Sequence, residues 1–279
     1  MITVFKQASE ATEKYDYVVC AHKALELSAA VPHALENAVG PDTTIAIIQN
    51  GVGNEDPFRE KYPSNTIISC VTWVGAVQSE PGIINHTQAE NAEIGLFPNA
   101  GSNATVENAR LNEFANLLRA GGTTFTVEDD VQIKRWEKVV WNAAWNPLTT
   151  LTMLDTQTWL KSSDAAMPFT RQLMREVIDV ARKCGVPLEY SLIDTLINKI
   201  LALPGIGSSM QTDAKEGENY IALLNDQTHA DSLIGRPLEV DVIIGTPYKR
   251  AKEHNMDVPT LTAVYTLITA VNLRLSSKL

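Results

Sequence analysis

Apolar residues form short unbroken runs in the first half of the chain and recur at three- and four-residue spacing in the second. YVVCA (Tyr17 to Ala21), TTIAIIQ (Thr43 to Gln49) and TIISCVTWV within Asn65 to Ala76 are runs of β-formers. Such runs predict strands covered on both faces, the environment of a parallel sheet. Between the first two, Leu25 to Val39 carries Leu27, Val31, Ala34, Leu35 and Ala38 and predicts a crossover helix despite Pro32. GIINHT (Gly82 to Thr87) and AEIGLF (Ala92 to Phe97) predict a pair of strands. Val106 to Leu118 predicts a helix, and TTFTVE (Thr123 to Glu128) a last strand.

Beyond about Asp130 the pattern turns helical. Phe169, Leu173, Val177, Val180, Ala181 and Cys184 share one stripe, stopped by Gly185 and Pro187. Leu192 to Leu203 and Pro259 to Leu275 carry similar stripes. The expected fold class is α/β: a doubly wound, mostly parallel sheet domain over residues 1–126, then an all-helical domain over 127–279. A cleft between two such domains is the default place for a ligand.

One helix departs from ordinary amphipathic design. Ile133, Trp136, Val140, Ala143, Ala144 and Pro147 form its apolar stripe, and on the other side Lys138, Asn142 and Asn146 make a narrow polar row. The ordinary outcome for such a row is a lysine that snorkels to water and amides that bond to nearby backbone. Here Val139, Trp141 and Trp145 flank the row. Each unpaired buried polar group costs about 1–3 kcal/mol, so the row predicts a polar site. A lysine partly removed from water has its pKa lowered, toward the range of a proton donor near neutrality.

Composition narrows the chemistry. Hydrophobic residues make up 44% and charged residues 20% of the 279, enough for a folded chain of two domains. A net charge of -10 without a basic stripe argues against a nucleic-acid partner. Three cysteines, Cys20, Cys70 and Cys184, have no CxxC spacing and predict thiols in a reducing compartment. The five histidines show neither HxxxH nor HExxH, so no metal site is expected. No apolar run reaches a membrane span, and the first residues match neither a signal nor a transit peptide. A soluble cytoplasmic protein is expected.

WEKVVWNAAWNPLTTL resembles the signature helix of the ketopantoate reductases (2-dehydropantoate 2-reductases), a family that joins a Rossmann domain to a helical substrate domain. Five further stretches resemble that family in order: YDYVVCAHKA, IIQNGVGNED and PGIINHTQAENAEIG upstream, and SSM and RPLEVDVIIG downstream. The resemblance implies NADPH as cofactor and a small 2-oxo acid, ketopantoate first, as substrate. It implies Lys138 as general acid, and Asn142 and Glu239 as partners of the substrate hydroxyls, with Asn146 a further candidate. Ser209 would hold the substrate carboxylate, and Asn50 would lie between substrate and nicotinamide. Lys23 would stand beside the nicotinamide end, and Glu239 is also carried over as a cofactor contact. From the residues alone, Lys23 also suits a solvated loop, Asn50 a simple Asn-Gly turn, Ser209 a helix cap and Glu239 a first helical turn.

Two departures stand out. The family opens with a strand and a GxGxxG turn that receives the pyrophosphate at a helix N-terminus, and no such motif occurs in this sequence. Gly51 to Gly53 is no substitute, since NEDP follows it. The expectation is an incomplete Rossmann-like sheet, with N-terminal truncation favoured over a cofactor-poor paralogue because a sheet without its first strand exposes an apolar edge. A missing true N-terminus leaves a mitochondrial location open beside the cytoplasm. Second, deleting Glu218 to Gly235 joins DAKEG to RPLEVD, as the family pattern expects, so 218–235 reads as an insertion: a lengthened loop or a translated intron. A non-catalytic remnant that binds small acids or a partner, a different hydroxyacid dehydrogenase, and a homodimer remain open.

Overall fold

The computed structural model describes residues 3–25, 27–28, 30–80, 82–86, 91–99, 101, 103–224 and 237–276. Its chain forms two compact units, Met1–Arg135 and Trp136–Leu279.

In the first unit, strands β1 (Tyr17–Cys20), β2 (Thr44–Ile48), β3 (Ile67–Trp73), β6 (Asn91–Leu96) and β7 (Phe125–Val127) form a sheet in the order β1-β2-β3-β6-β7. β1, β2 and β3 run parallel; β6 is antiparallel to β3, and β7 is parallel to β6. The apolar runs are continuous because alternate side chains enter two separate cores. Ile45, Ile47 and Ile67 pack with Cys20, Val39 and Phe58 on one face. Ala46, Ile68, Cys70 and Ile94 pack on the other against Leu111, Phe114 and Ala115 of helix α3 (Ala104–Ala120). Gly95 in β6 is required by close approach, since a Cβ there would lie 2.7 Å from the Glu128 carbonyl and 2.8 Å from Val131 Cβ.

Two local expectations change. GIINHT and AEIGLF are both strands but not partners of each other: β5 (Ile83–His86) pairs with β4 (Ala76–Glu80) in a separate two-stranded sheet, while β6 joins the main sheet. Gly82, at φ 83, turns the chain straight back on itself, so β5 finds the segment just before it. The crossover helix α1 is only Ala30–Ala34, with Pro32 inside it. Proline tolerates a first helical turn but lacks the N–H and crowds the carbonyl four residues back, so the helix does not extend toward Leu25. From Pro32 to Val39 the chain continues in hydrogen-bonded turns. The short helix α2 (Asp56–Lys61) makes the next crossover.

The second unit is helical throughout its described residues. Helix α4 (Val131–Thr152) enters it and is followed by α5 (Thr156–Lys161), α6 (Ala166–Lys183), α7 (Ser191–Leu201), α8 (Ser209–Leu224), a π-helical turn (Asp241–Gly245), α9 (Thr246–Glu253) and α10 (Pro259–Ser276). α6 is the hub, packing on α5, α7, α9 and α10. Leu173, Val177, Val180 and Ala181 of its expected stripe are fully buried, while Phe169 and Cys184 at the two ends are not. Gly185, at φ 89, ends the helix: its N–H bonds to Arg182 O and the next N–H to Ala181 O, the two closing bonds of a Schellman turn. At the start of α10, the buried carboxylate of Glu176 accepts the N–H groups of Thr260 (3.2 Å) and Leu261 (2.7 Å). Of the expected insertion, residues up to Leu224 continue α8, and 225–235 lie outside the described residues.

Candidate active site

In the sheet unit, the candidates Lys23 and Asn50 each stand three residues beyond the paired positions Cys20 and Ile47 of β1 and β2. Both therefore follow the carboxyl ends of adjacent parallel strands, the edge at which open α/β sheets take ligands. Gln49 Nε2 donates to His22 O (2.9 Å) and ties the two strand ends together beside these residues. Lys23 is exposed and Asn50 half-buried. Asn50 begins a turn through Gly51 and Gly53, at φ 89 and 86, that other side chains would strain. Its carbonyl accepts from Asn54 Nδ2 at 2.8 Å.

Thiol chemistry is absent from this edge. Burial pushes Cys20 and Cys70 up to about 12, so neither forms a nucleophilic thiolate near neutrality. Among the described residues no group of three His, Cys, Asp or Glu is placed to hold a metal ion.

In the helical unit, α4 carries Lys138, Asn142 and Asn146 at four-residue steps, on one row. From Val139 to Thr150 every residue except Trp141 is buried, so the helix is enclosed on all sides and the polar row with it. Asn142 and Asn146 are each only 6% exposed, and Lys138 is half-buried. Of the expected apolar stripe, Ile133 near the helix start is half-buried and the rest is core. Trp141 stands edge-on to Trp145 and lies 5.3 Å from Lys199 Nζ of α7.

Two residues at this row were not expected from the sequence. Thr149 Oγ1 meets Ser208 Oγ at 2.8 Å, and Ser208 Oγ also reaches Asn146 O at 3.4 Å. Ser208 caps α8 by accepting Gln211 N–H at 3.0 Å, whereas Ser209 is exposed as the first helical residue. The serine that touches the α4 row is thus Ser208, one position before the candidate; Thr149, three residues beyond Asn146, was the available signal. Glu239 is buried at 7% just before the π-helical turn, and the neighbouring Leu238 N–H is anchored to Asn272 Oδ1 of α10 at 2.8 Å.

The family model Ketopantoate reductase PanE/ApbA matches residues 2–99, and its companion, Ketopantoate reductase PanE/ApbA C terminal, matches 130–220 and 225–272. The chain belongs to the ketopantoate reductase family. The 2-dehydropantoate 2-reductase of Nostoc sp. is 25% identical over 252 residues, covering 90% of this chain and 72% of that protein. The crystal structure of 2-dehydropantoate 2-reductase from Methylococcus capsulatus matches at TM-score 0.78 and 28% identity, covering 98% of this chain and 80% of its own. A dimeric ketopantoate reductase from Staphylococcus aureus shares the fold at TM-score 0.74 and 23% identity, over 96% and 81% of the two chains.

Members of this ketopantoate reductase family are nicotinamide-dependent oxidoreductases, and the residues present fit such a group unevenly. At the strand ends that the resemblance assigns to the nicotinamide, the donor types fit: an exposed ammonium, Lys23, and a half-buried amide, Asn50, follow adjacent strands. For the diphosphate the described residues offer no matching turn, and the one that Asn50 begins is no replacement. The glycine turn after β2 leads to α2, a helix of 6 residues whose N-cap is Glu55, already ion-paired to Arg135 at 2.7 Å. A phosphate there would meet a carboxylate instead of open peptide N–H groups.

Proposed function

We propose that this ketopantoate reductase family chain reduces a 2-oxo acid, 2-dehydropantoate, to the corresponding hydroxy acid, with NADPH as the hydride donor. One observation carries the reading: a lysine and two buried amides on a single row of an enclosed helix, joined through Thr149 to the hydroxyl at the start of α8. A buried row of donors suits a small, polar, anionic substrate whose ketone oxygen gains charge as it is reduced.

In this reading a bound nicotinamide, held beside Lys23 and Asn50, would be the source of hydride for the ketone carbon. Lys138 Nζ gives the developing alkoxide its proton, as general acid. Asn142 and Glu239 hold the substrate hydroxyls, with Asn146 next on the row. The α8 start holds the carboxylate through Ser209, and Ser208 is added here because its hydroxyl already meets the row. Asn50 orients substrate and nicotinamide, and Lys23 and Glu239 contact the cofactor. Three free thiols accord with a cytoplasmic location. Among the described residues no helix is long and apolar enough to cross a membrane. A homodimer is the proposed assembly, by analogy with the staphylococcal relative.

The test is NADPH oxidation by the purified chain in the presence of 2-dehydropantoate, with pantoate as the product. Saturable, ketone-dependent oxidation is expected, and Lys138→Ala should lower kcat by about a hundredfold or more in a folded protein. A folded chain without ketone-dependent oxidation would sink the proposal in favour of a non-catalytic binding role. A Lys138→Ala variant at full turnover would remove the lysine from it.

A further inference from the structure

The sheet unit buries an arginine that the proposed reaction does not use. Arg135, in the second turn of α4, is 2% exposed, and Glu55 is fully buried. Arg135 Nη1 donates to both Gln49 O (2.9 Å) and Gly51 O (2.8 Å), the two carbonyls that flank Asn50. Nη2 donates to Cys70 O at 3.2 Å and Nε to Ser69 Oγ at 2.9 Å, and Nε is ion-paired with Glu55 Oε1 at 2.7 Å. The same Glu55 oxygen accepts from Ser69 Oγ (2.7 Å) and Gln132 Nε2 (3.3 Å), which hold the carboxylate in line.

Burying a guanidinium is costly, and an apolar residue of similar volume usually serves a core as well. What only the guanidinium supplies is a planar fork that reaches several acceptors in fixed directions. Here the fork clamps a turn that is intrinsically loose, with two positive-φ glycines at 51 and 53. With the Asn54 amide on Asn50 O, three successive carbonyls, 49, 50 and 51, are held by side chains. Turning residue 50 about its flanking peptides would therefore break the charge-assisted bond to Gln49 O or the Asn54 bond to Asn50 O.

We infer that Arg135 and Glu55 form a positioning pair that fixes the 49–50 and 51–52 peptide groups around Asn50, and so, with the Asn54 amide on the peptide between them, the placement of the Asn50 side chain for reduction of the 2-oxo acid. The role in reduction rests on the function proposed above, whereas the clamp itself does not. Arg135 and Glu55 touch no reacting atom in this account. Their effect passes through the turn.

Arg135→Lys separates the clamp from the charge, because an ammonium pairs with Glu55 but cannot span Gln49 O, Gly51 O and Cys70 O together. In the full chain, amide hydrogen exchange in peptides covering residues 49–54 should speed up by about tenfold or more, with exchange in α6 and α10 unchanged. Turnover of 2-dehydropantoate should fall by about tenfold or more, with KM within about threefold of wild type, because misorientation acts on the transition state more than on binding. Glu55→Gln should give the same pattern at smaller size, and it decides the matter if Arg135→Lys does not fold. Unchanged exchange at 49–54 overturns the clamp. Faster exchange with wild-type kcat and KM overturns the positioning role. If the wild-type chain itself shows no turnover, the proposed reaction fails and the exchange result alone judges the clamp.

Discussion

Two buried carboxylates, one in each unit, are held in opposite ways, and Glu55 has all its partners on Oε1. In the sheet unit Glu55 faces a cation, Arg135, together with two neutral donors, Ser69 and Gln132. In the helical unit Glu176 is held by neutral donors: it accepts the Thr260 and Leu261 N–H groups at the start of α10, and Gln172 Nε2 at 3.1 Å. The second arrangement uses the partial positive charge of a helix N-terminus and ties α6 to α10 without burying a second charge. The first buries two charges, and its return is geometric: the fork reaches on to the carbonyls around Asn50. A dipole can stabilise a carboxylate, but it cannot clamp a turn elsewhere.

The sharpest way to break this comparison is to remove the cation. Arg135→Met fills the same space and leaves Glu55 without its counter-charge, so the sheet unit should lose about 3–5 kcal/mol in equilibrium urea unfolding. A loss below about 1 kcal/mol would mean that the pair contributes geometry only and that Glu55 finds other partners. Glu176→Gln is the matching change in the helical unit. It keeps one acceptor for the N–H groups but gives up the charge, so about 1–2 kcal/mol should be lost from the helical unit's transition. An effect as large as that of Arg135→Met would end the distinction. The mildest test concerns neutral polar contacts on α4. Thr149→Val removes the hydroxyl that meets Ser208 at little change in volume, and about 1 kcal/mol of destabilisation is expected. No change in the same unfolding curve would show that Ser208 is held by its cap and its bond to Asn146 O without Thr149.

Much of the fold was legible in the chain. Strands at Thr43 and Ile67 could be read because apolar residues covered on both faces leave an unbroken run, whereas the run at Tyr17 forms a strand with Val19 exposed, so its coverage on both faces was not borne out. Helices α6, α7 and α10 could be read because one buried stripe repeats at helical spacing. Partnering was less legible: β5 pairs backward with β4, a choice set by the turn at Gly82 and not by the apolar pattern of either strand. Lys138, Asn142 and Asn146 stood out because polar residues on one row of an otherwise apolar helix need a reason. Ser208 did not stand out from Ser209, since which of two adjacent serines caps a helix depends on the exact residue at which the helix starts.

Arg135 was the least legible of all. In sequence it is one charge among QIKRWEK, where a solvated helix face is the ordinary outcome. Its partners Gln49, Gly51 and Ser69 lie 86, 84 and 66 positions earlier, and no periodicity links them. By itself the sequence determined the family, the two kinds of unit and the polar row on α4, because these follow from local spacing and from which residues avoid water. Tertiary structure decided which charges are dry, which serine meets the row and what holds the turn at Asn50. Those depend on distances between segments far apart in the chain, and the strength of a charge or hydrogen bond is set by the surroundings that only folding supplies.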